Sequence, residues 1–281
     1  MSLPEIDVRR LLEQHGLRAK KALGQCFLHD PGVLSRIAEA ATEGASTVIE
    51  IGAGLGSLTR ALAATGTKVV AIEHDRDLVP ILRSVFADAP GVSFVEADAT
   101  SVRFAELTPA IARPHIAGNL PYSISSPLLL ALLAQRAEIG PATIMLQREV
   151  AARIAAPPGS KTYGSLSVLF ALYAEVETLF DVGPGAFTPA PSIWSRVLRV
   201  RWRAQPSADV GDFDHFERVL RTAFNQRRKT LRNALSAQFP RDRVEAAGAQ
   251  AGVALERRAE TLDVREFAAL AAALRTEAGD H

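Results

Sequence analysis

The sequence predicts an α/β fold in which a doubly wound, mostly parallel seven-stranded sheet precedes a small all-α C-terminal domain. Two observations lead to this fold class. Short apolar runs of strand length alternate with helical periodicity over the first part of the chain, a pattern typical of a parallel sheet wrapped by helices. Beyond the polar segment 204–208, only helical periodicity remains. We therefore expect one domain at residues 1–205 and another at 206–281.

Seven strands are predicted in the first domain. Apolar, often β-branched runs mark them. The first five alternate with helices, and the last two flank a Gly/Pro-rich loop that is long enough to have a function. In chain order the predicted strands cover residues 47–51, 68–73, 92–96, a run from 115 into Asn119, 142–146, 176–182 and 197–202.

Helices are predicted from caps and periodicity. Asp30 before Pro31 forms a favourable N-cap and first-position pair. Asp75 is expected to cap the helix after the second strand, and Asp263 with Glu266 has the spacing of a capping box. The short N-terminal helix is predicted at 8–15, and the C-terminal helices at 213–224, 229–239, 242–251 and 263–275.

Charge is unevenly distributed along a chain whose net charge is only +1. Residues 196–232 contain ten Lys or Arg residues against four Asp or Glu residues, which favours a polyanionic partner. The single cysteine, Cys26, excludes an internal disulfide and a multi-cysteine metal site. We see no signal-peptide pattern and no apolar run approaching about 18 residues, so we expect a cytoplasmic protein that does not contact a membrane.

The motif Asn119-Leu120-Pro121-Tyr122 follows the predicted fourth strand directly. In an open parallel sheet, ligands bind at this carboxyl edge. The motif offers an amide that donates and accepts, a proline that fixes φ and removes a donor, and an aromatic ring. These groups suit a planar heterocycle with an exocyclic amine. A strand-to-helix loop with a buried tyrosine fits the motif equally well.

A nucleoside-type cofactor is predicted from the ends of three strands. Gly52, Gly54 and Gly56 follow the first strand, but their spacing departs from the dinucleotide fingerprint that holds a pyrophosphate. Glu73 ends the second strand, where a carboxylate can accept hydrogen bonds from ribose hydroxyls. Asp98 follows the third strand and is placed to bind an exocyclic amine. Because two acidic strand ends repel phosphate and favour a sulfonium, this arrangement indicates S-adenosylmethionine, with S-adenosylhomocysteine as product.

With these residues in place, the chain resembles the rRNA adenine N6,N6-dimethyltransferases, a family of class I methyltransferases, over nearly its whole length. The glycine turn is weakly specific, because many methyltransferases share it. The Asn-Leu-Pro-Tyr motif narrows the target to an exocyclic amine, and the Phe-Thr-Pro-x-Pro and basic C-terminal motifs are the most specific. The matching stretches are LGQCFL at 23–28, EIGAGLG at 50–56, Glu73, Asp98-Ala99, NLPY at 119–122, LQREV at 146–150, FTPAP at 187–191 and FNQRRKT at 224–230.

The resemblance implies a Rossmann-like sheet that binds S-adenosylmethionine, with no metal. It also implies N6,N6-dimethylation of two adjacent adenosines in the 3′-terminal hairpin loop of small-subunit 16S rRNA. The expected partners are this rRNA and the immature small ribosomal subunit, bound by a monomer. Cys26 replaces the family's usual asparagine, and we interpret it as a small apolar residue whose backbone still contacts the cofactor. The expected cofactor contacts are Gln25, Cys26, Leu28, Gly52, Gly54, Glu73, Asp98, Ala99 and Asn119.

The reaction needs acceptors for the amine protons, because the adenine amine is a poor nucleophile whose lone pair is delocalised into the ring. We predict that the Asn119 side-chain oxygen and a backbone carbonyl at Leu120 or Pro121 accept hydrogen bonds from the amine. Tyr122 is expected to stack on the target base. The resemblance adds Phe187 as the wall on the opposite face of the base.

RNA is expected to contact a basic segment, Arg227, Arg228, Lys229 and Arg232. Arg228 and Arg232 are four residues apart and share one face of the predicted helix. Two other functions stay open. A related antibiotic-resistance methyltransferase would act on large-subunit rRNA, although the 224–230 stretch argues against it. A non-catalytic RNA-binding protein could use the same fold, although the intact Asn119 and Tyr122 argue against a loss of chemistry.

Overall fold

A computed structural model of the chain describes residues 3–20, 23–111, 113–226 and 228–275. The strands are β1 (Phe27–Leu28), β2 (Thr47–Ile51), β3 (Lys68–Glu73), β4 (Val92–Glu96), β5 (His115–Asn119), β6 (Ala142–Gln147), β7 (Ala174–Val182), β8 (Phe187–Thr188) and β9 (Ser195–Trp202). Within the described residues, a seven-stranded sheet has the strand order β4-β3-β2-β5-β6-β9-β7. The pairs β2–β3, β2–β5, β3–β4 and β5–β6 are parallel, and β6–β9 is antiparallel.

The central strands form because their side chains are apolar on both faces and are buried by helices on both sides of the sheet. All five residues of β2 are buried, and β6 is buried from its first residue to its fifth. The predicted bounds of β2, β3 and β4 are confirmed, and the prediction of a mostly parallel, doubly wound sheet is confirmed with them. Since β2, β3, β4 and β5 are parallel, their carboxyl ends lie at one edge of the sheet, where we find the candidate site.

The helices begin where the predicted caps place them, with one exception. Asp30 accepts a hydrogen bond from the backbone of Val33, and Asp263 and Glu266 form the predicted capping box. The prediction for Asp75 is wrong, because α4 has Leu78 at its N-cap. The helices are α1 (Val8–Gln14), α2 (Pro31–Thr42), α3 (Ser57–Ala64), α4 (Val79–Val85), α5 (Phe104–Leu107), α6 (Ser125–Ala134), α7 (Arg148–Ile154), α8 (Ser165–Tyr173), α9 (Phe213–Phe224), α10 (Leu231–Leu235), α11 (Arg241–Ala251) and α12 (Val264–Leu274).

The chain divides into two compact units. The sheet unit comprises Met1–Ala151 and Val176–Trp202, and the helical unit comprises Ala152–Glu175 and Arg203–His281. The helical unit therefore includes α8, a segment that lies inside the expected first domain. Its core contains Tyr163 and Phe267, each of which packs a ring against Phe224.

The helix predicted at 229–239 is shorter than expected. Thr230 has an extended backbone (φ −68°, ψ 159°) and is the N-cap of α10, which ends at Leu235. Residues 225–230 therefore separate α9 from α10. Because Arg228 precedes α10, the prediction that it shares a helix face with Arg232 is wrong.

Candidate active site

A cavity of about 300 Å³ lies at the carboxyl edge of the sheet. This size is at the lower end of the range for pockets that bind small ligands. The segment before α2, the glycine turn after β2, the ends of β3 and β4, and the turn after β5 all line it. Most of the predicted site residues meet there: Gln25, Cys26, Leu28, Gly52, Gly54, Glu73, Asp98, Ala99, Asn119, Leu120, Pro121 and Tyr122.

The glycine turn after β2 is shaped by close contacts that exclude side chains. Gly54 has φ +59° and its amide donates a 2.8 Å hydrogen bond to Glu73 Oε2. Gly56 has φ +88°, and a Cβ atom there would lie 2.5 Å from Cε2 of Phe86. The turn therefore holds its backbone amides close to the end of β3, because only glycine tolerates both the backbone angles and the packing.

Glu73 is held at the end of β3 by two backbone amides. Its Oε2 accepts from Gly54, and its Oε1 accepts from Asp75 at 2.8 Å. Burial raises the pKa of Glu73, and these amide hydrogen bonds oppose that rise. Each carboxylate oxygen keeps a second lone pair. The side chain can therefore still accept hydrogen bonds from the hydroxyl groups of a ligand in the cavity.

Asp98 follows β4 and lines the cavity. Its Oδ1 accepts hydrogen bonds from the Thr100 amide (2.9 Å) and the Thr100 hydroxyl (2.7 Å). These two bonds lower the pKa of Asp98, so its carboxylate is ionised at neutral pH. Among the described residues, no hydrogen bond uses Oδ2, which leaves it available for a donor. Ala99 beside it is buried and provides an apolar wall.

The sequence interpretation gave no individual role to Glu50, a fully buried carboxyl group that also lines the cavity. Its Oε2 accepts a 2.5 Å hydrogen bond from the Thr59 hydroxyl, while Oε1 has no partner in the described part of the chain. Burial is the main cause that raises the pKa of Glu50 to about 8; the hydrogen bonds from Thr59 oppose this rise, and the nearby charge of Glu73 contributes to it. The available signal was a single carboxylate inside an otherwise apolar strand.

Asn119, at the end of β5, is oriented by the backbone of Cys26. The Asn119 side-chain amide donates from Nδ2 to the Cys26 carbonyl at 3.2 Å. A carbonyl can only accept, so Oδ1 is the atom directed elsewhere, and it makes no hydrogen bond to another described residue. The carbonyl of Pro121 accepts from the Ile124 amide, whereas no described donor reaches the carbonyl of Leu120. Of the two predicted backbone acceptors, the Leu120 carbonyl is therefore the one without a described donor, while the Pro121 carbonyl keeps a second lone pair.

Tyr122 is fixed by a residue that sequence reasoning missed. Its hydroxyl lies 2.6 Å from Oγ of Ser195, which is completely buried at the start of β9. Burial raises the pKa of Tyr122, and the bond to Ser195 lowers it. Since no local pattern connects residues 73 positions apart, the sequence offered no signal for this contact.

Gln25 and Cys26 line the cavity but serve the protein's own structure. The Gln25 side chain donates to Asp75 (2.7 Å) and accepts from the Lys20 amide (2.8 Å), so both ends of its amide are engaged. Burial raises the pKa of the Cys26 thiol, which keeps it protonated. Cys26 contributes its backbone carbonyl to Asn119. Leu28, in β1, is buried beside them.

Phe187 does not line the cavity, in contrast to the expectation that it forms the second wall around the base. It is 3% exposed and packs in the apolar core with Leu28, its partner in the antiparallel pair of β1 and β8. The direct stacking role is therefore a prediction that this structure does not support. Phe187 instead supports the short strand that carries Leu28.

The predicted RNA-binding residues differ in their surroundings. Arg228 and Lys229 are exposed and make no ion pair with any described residue, and Arg227 lies outside the described residues. Arg232 is paired with Glu245 at 2.6 Å and with Glu256 at 2.7 Å. Arg228 and Lys229 are therefore available to bind a partner's negative charge, whereas the charge of Arg232 is already neutralised by its neighbours.

The described residues contain no group of three or more His, Cys, Asp or Glu side chains that could hold a metal ion. No helix among them is long and apolar enough to cross a membrane.

Comparison with known proteins identifies relatives along almost the whole chain. The profile of the family described as ribosomal RNA adenine dimethylase matches residues 16–275. The ribosomal RNA small subunit methyltransferase A of Magnetococcus marinus is 46% identical over 268 residues, with 94% of this chain and 95% of the relative covered. The protein of the same name from Anaeromyxobacter sp. strain K is 46% identical over 275 residues, with 93% and 95% covered.

Two solved structures resemble the fold along most of its length. The dimethyladenosine transferase from Plasmodium falciparum has a TM-score of 0.71 at 26% identity, covering 87% of this chain and 95% of that one. The 23S rRNA methyltransferase ErmE has a TM-score of 0.66 at 28% identity, covering 88% and 99%. The resemblance therefore extends through both the sheet unit and the helical unit.

Proposed function

Since this chain belongs to the ribosomal RNA adenine dimethylase family, we propose that it dimethylates N6 of two adjacent adenosines in the 3′-terminal hairpin loop of small-subunit 16S rRNA. The observation that carries this proposal is the free Oδ1 of Asn119, held at the cavity beside Tyr122. The relatives named as small-subunit enzymes support the choice of subunit. The partner is the immature small ribosomal subunit, and the protein acts on it as a monomer.

The residues of the cavity fit S-adenosylmethionine as the second substrate, which supplies an electrophilic methyl group on a sulfonium when it is bound. Glu73 would accept hydrogen bonds from the ribose hydroxyls with its remaining lone pairs, and Oδ2 of Asp98 would accept one from the adenine amine. The buried Glu50, with one oxygen unpartnered, gives this part of the cavity a group that can become negative opposite a cation. Gln25, Cys26, Leu28, Gly52, Gly54, Ala99 and Asn119 complete the proposed surroundings.

Asn119 and Leu120 would activate the target amine by accepting a hydrogen bond from each of its two N–H groups. An acceptor on each N–H draws the amine nitrogen towards a tetrahedral geometry, which reduces delocalisation of its lone pair into the ring. The Pro121 carbonyl already accepts one hydrogen bond from Ile124, whereas no described donor reaches Oδ1 of Asn119 or the carbonyl of Leu120. Both are fixed before the substrate binds, so little reorganisation is needed in the transition state.

Tyr122 would stack on the target base, and the helical unit would hold the RNA backbone. Stacking of a base on an aromatic ring contributes roughly 1–3 kcal/mol. The target base has to be unpaired or extruded to reach the cavity, which suits a hairpin loop. Arg228 and Lys229 carry charges available for phosphates, and we extend the same role to Arg227.

Methyl transfer to defined RNAs tests this function. Isolated small-subunit particles lacking the modification and, separately, large-subunit RNA are incubated with the protein and S-adenosylmethionine labelled in its methyl group. We expect label only in the small subunit, on two neighbouring adenosines, with two methyl groups each. Label only in the large subunit would identify an enzyme of the antibiotic-resistance type, and no label in either RNA would support a binding protein without catalysis.

A further inference from the structure

An exposed aromatic residue lies next to the anchor of Tyr122. Trp194 is 48% exposed and its neighbour Ile193 is 40% exposed. Among the described residues, Leu130 is the other large hydrophobic side chain exposed to this degree. Tryptophan normally hides most of its large apolar surface, so an indole that is half in water indicates a surface that is covered by a partner.

The topology of the sheet places Trp194 at the edge that carries the cavity. It directly precedes β9, whose first residue, Ser195, is opposite Gln147 at the end of β6. Because β9 runs antiparallel to β6, the start of β9 lies at the carboxyl edge of the parallel strands. Asn119 ends the neighbouring β5 at this same edge. Trp194 therefore lies on the side of β5 opposite to β2, β3 and β4, which carry the cofactor residues.

Trp194 is next in the chain to Ser195, the residue whose hydroxyl is hydrogen-bonded to Tyr122 in the proposed base site. The hydroxyl of Ser195 binds that of Tyr122 at 2.6 Å, and consecutive Cα atoms are about 3.8 Å apart. The exposed ring at 194 thus begins one residue away from the contact that fixes the stacking ring at 122. Trp194 and the proposed base site therefore lie at the same edge of the sheet and are linked through Ser195.

Trp194 is held in place before any partner binds. Its carbonyl accepts a 2.9 Å hydrogen bond from the amide of Arg148. Its six-membered ring lies beside Gly183, because a Cβ atom added there would be 3.5 Å from Cη2 of the ring, an ordinary van der Waals contact. A large rigid ring that is already positioned loses little conformational entropy on binding, which is what a stacking surface requires.

The surroundings of Trp194 tolerate a polyanion. Residues 182–195 contain no Asp or Glu. Asp181, just before them, accepts hydrogen bonds from Nε and Nη2 of Arg196, one on each carboxylate oxygen. Arg148 is exposed, pairs with no described carboxylate, and its positive charge contributes to the lowered pKa of Asp181. Phosphates flanking a base on Trp194 would therefore meet no unpaired carboxylate in this segment.

We propose that Trp194 is a stacking platform for a second, unpaired base of the RNA, adjacent to the base held by Tyr122. The inference rests on the proposed function, because it assumes that RNA enters the cavity from this edge. It assigns to position 194 a role in RNA affinity and orientation and none in binding the methyl donor. The partner is a single-stranded nucleobase, which offers a planar face to an indole whatever its identity.

Fluorescence can test this directly, since Trp194 and Trp202 are the two tryptophans of the chain. Trp202→Phe leaves Trp194 as the single reporter. We expect its emission to be quenched by the transcribed 3′-terminal hairpin of small-subunit rRNA and not by a fully paired duplex of the same length. Trp194→Phe, which reports on Trp202 alone, should show no response to either RNA. Equal quenching by the duplex, or no quenching by the hairpin, would overturn the proposal.

Affinity provides the second measurement. Trp194→Ala should weaken binding of the hairpin and raise its KM by about 5- to 100-fold, while the affinity for S-adenosylmethionine stays unchanged. Trp194→Tyr should recover most of the loss, and Leu130→Ala, a similarly exposed apolar site on α6, should have no effect.

Unchanged hairpin binding by Trp194→Ala, in a protein whose unmodified form does methylate small-subunit RNA, refutes this role alone. An unmodified protein that labels no small-subunit RNA refutes the proposed function itself. Emission from Trp194 that depends on protein concentration without RNA would assign the surface to a second copy of the chain and also overturn the proposal.

Discussion

The carboxyl edge of the sheet and the basic segment 228–232 hold their polar groups in different ways. At the sheet edge, Glu73 and Asn119 are bound to backbone groups, and Glu50 is fully buried. In the basic segment, Arg228 is exposed without an ion pair to the described residues, and Arg232 is fixed only by carboxylates. Backbone hydrogen bonds and burial fix a position independently of salt, whereas exposed charges are screened and adapt to a partner. The sheet edge therefore holds its polar groups in fixed positions, as catalysis requires, whereas the exposed charges of the basic segment can adjust to the phosphates of a partner.

The largest effect should follow the loss of one fixed acceptor at the edge. Asn119→Ala removes Oδ1, so we expect methyl transfer to fall by roughly 100-fold or more, as for the loss of one preorganised group in other active sites. The affinity for S-adenosylmethionine should stay within an order of magnitude, because Glu73 and Asp98 remain. Single-turnover transfer and calorimetric binding measure the two quantities. Asn233→Ala, an exposed residue of α10, is the control. A variant at 119 that transfers methyl groups at the normal rate would show that this amide is not an acceptor for the amine.

The rigidity of the edge can be tested by a matched pair of glycines. Gly56→Ala adds a Cβ atom 2.5 Å from Phe86 at φ +88°, and Gly66→Ala adds one at φ +85° with no atom within 4 Å. Both pay the cost of a left-handed backbone, roughly 1–2 kcal/mol, but only the first also overpacks, at typically 1–3 kcal/mol more. We expect Gly56→Ala to lower the free energy of unfolding by about 2–5 kcal/mol and Gly66→Ala by about 1–2 kcal/mol, measured with denaturant. Equal losses would mean that the turn relaxes freely and that the edge is not rigid.

The sequence predicts the edge far better than the basic segment, for a physical reason. Strands β2 and β3 are mostly buried apolar runs, and β4 is a half-buried run of Val and Phe residues. Turn residues bound all three strands, so their ends and the positions of Glu73 and Asp98 follow from local pattern. The neighbours of an arginine depend on tertiary structure. The pairing of Arg232 with Glu245 and Glu256 has no signature in the sequence around position 232.

Other differences come from short or uniformly apolar elements. The helix α8 is apolar on nearly all sides, so no periodicity distinguishes it from a strand. The pairing of Phe187 with Leu28 rests on strands of two residues, which are too short to leave a pattern. The helix predicted at 229–239 begins only at Leu231, because the extended backbone of Thr230 makes that residue the N-cap. Ser195 and Tyr122 meet only because β9 returns beside β6.

Burial of charge at the edge should also appear in the pH dependence of stability. Burial, the main cause, raises the pKa of Glu50 to about 8, from an ordinary value near 4.5. Between these values the folded chain holds a proton that the unfolded chain has released, so unfolding releases it and stability falls as pH rises. We expect Glu50→Gln, which cannot titrate, to reduce this fall by an amount on the order of 1–3 kcal/mol between pH 5 and 8. Denaturant unfolding across this range measures it, and an identical slope in both proteins would indicate that Glu50 is ionised when folded.

The smallest effects should separate the arginines of the basic segment. Arg228→Gln removes a charge that is available to phosphate, so we expect hairpin affinity to fall several-fold and the slope of log affinity against log salt to decrease by about one unit. Arg232→Gln removes a charge already neutralised by Glu245 and Glu256, so the salt slope should stay the same. Binding measured at several salt concentrations distinguishes them, with transfer at saturating RNA unchanged in both. If Arg232→Gln lowers the slope as much as Arg228→Gln does, its ion pairs open on binding, and the adjustable character of the segment extends to residues that are paired in the free protein.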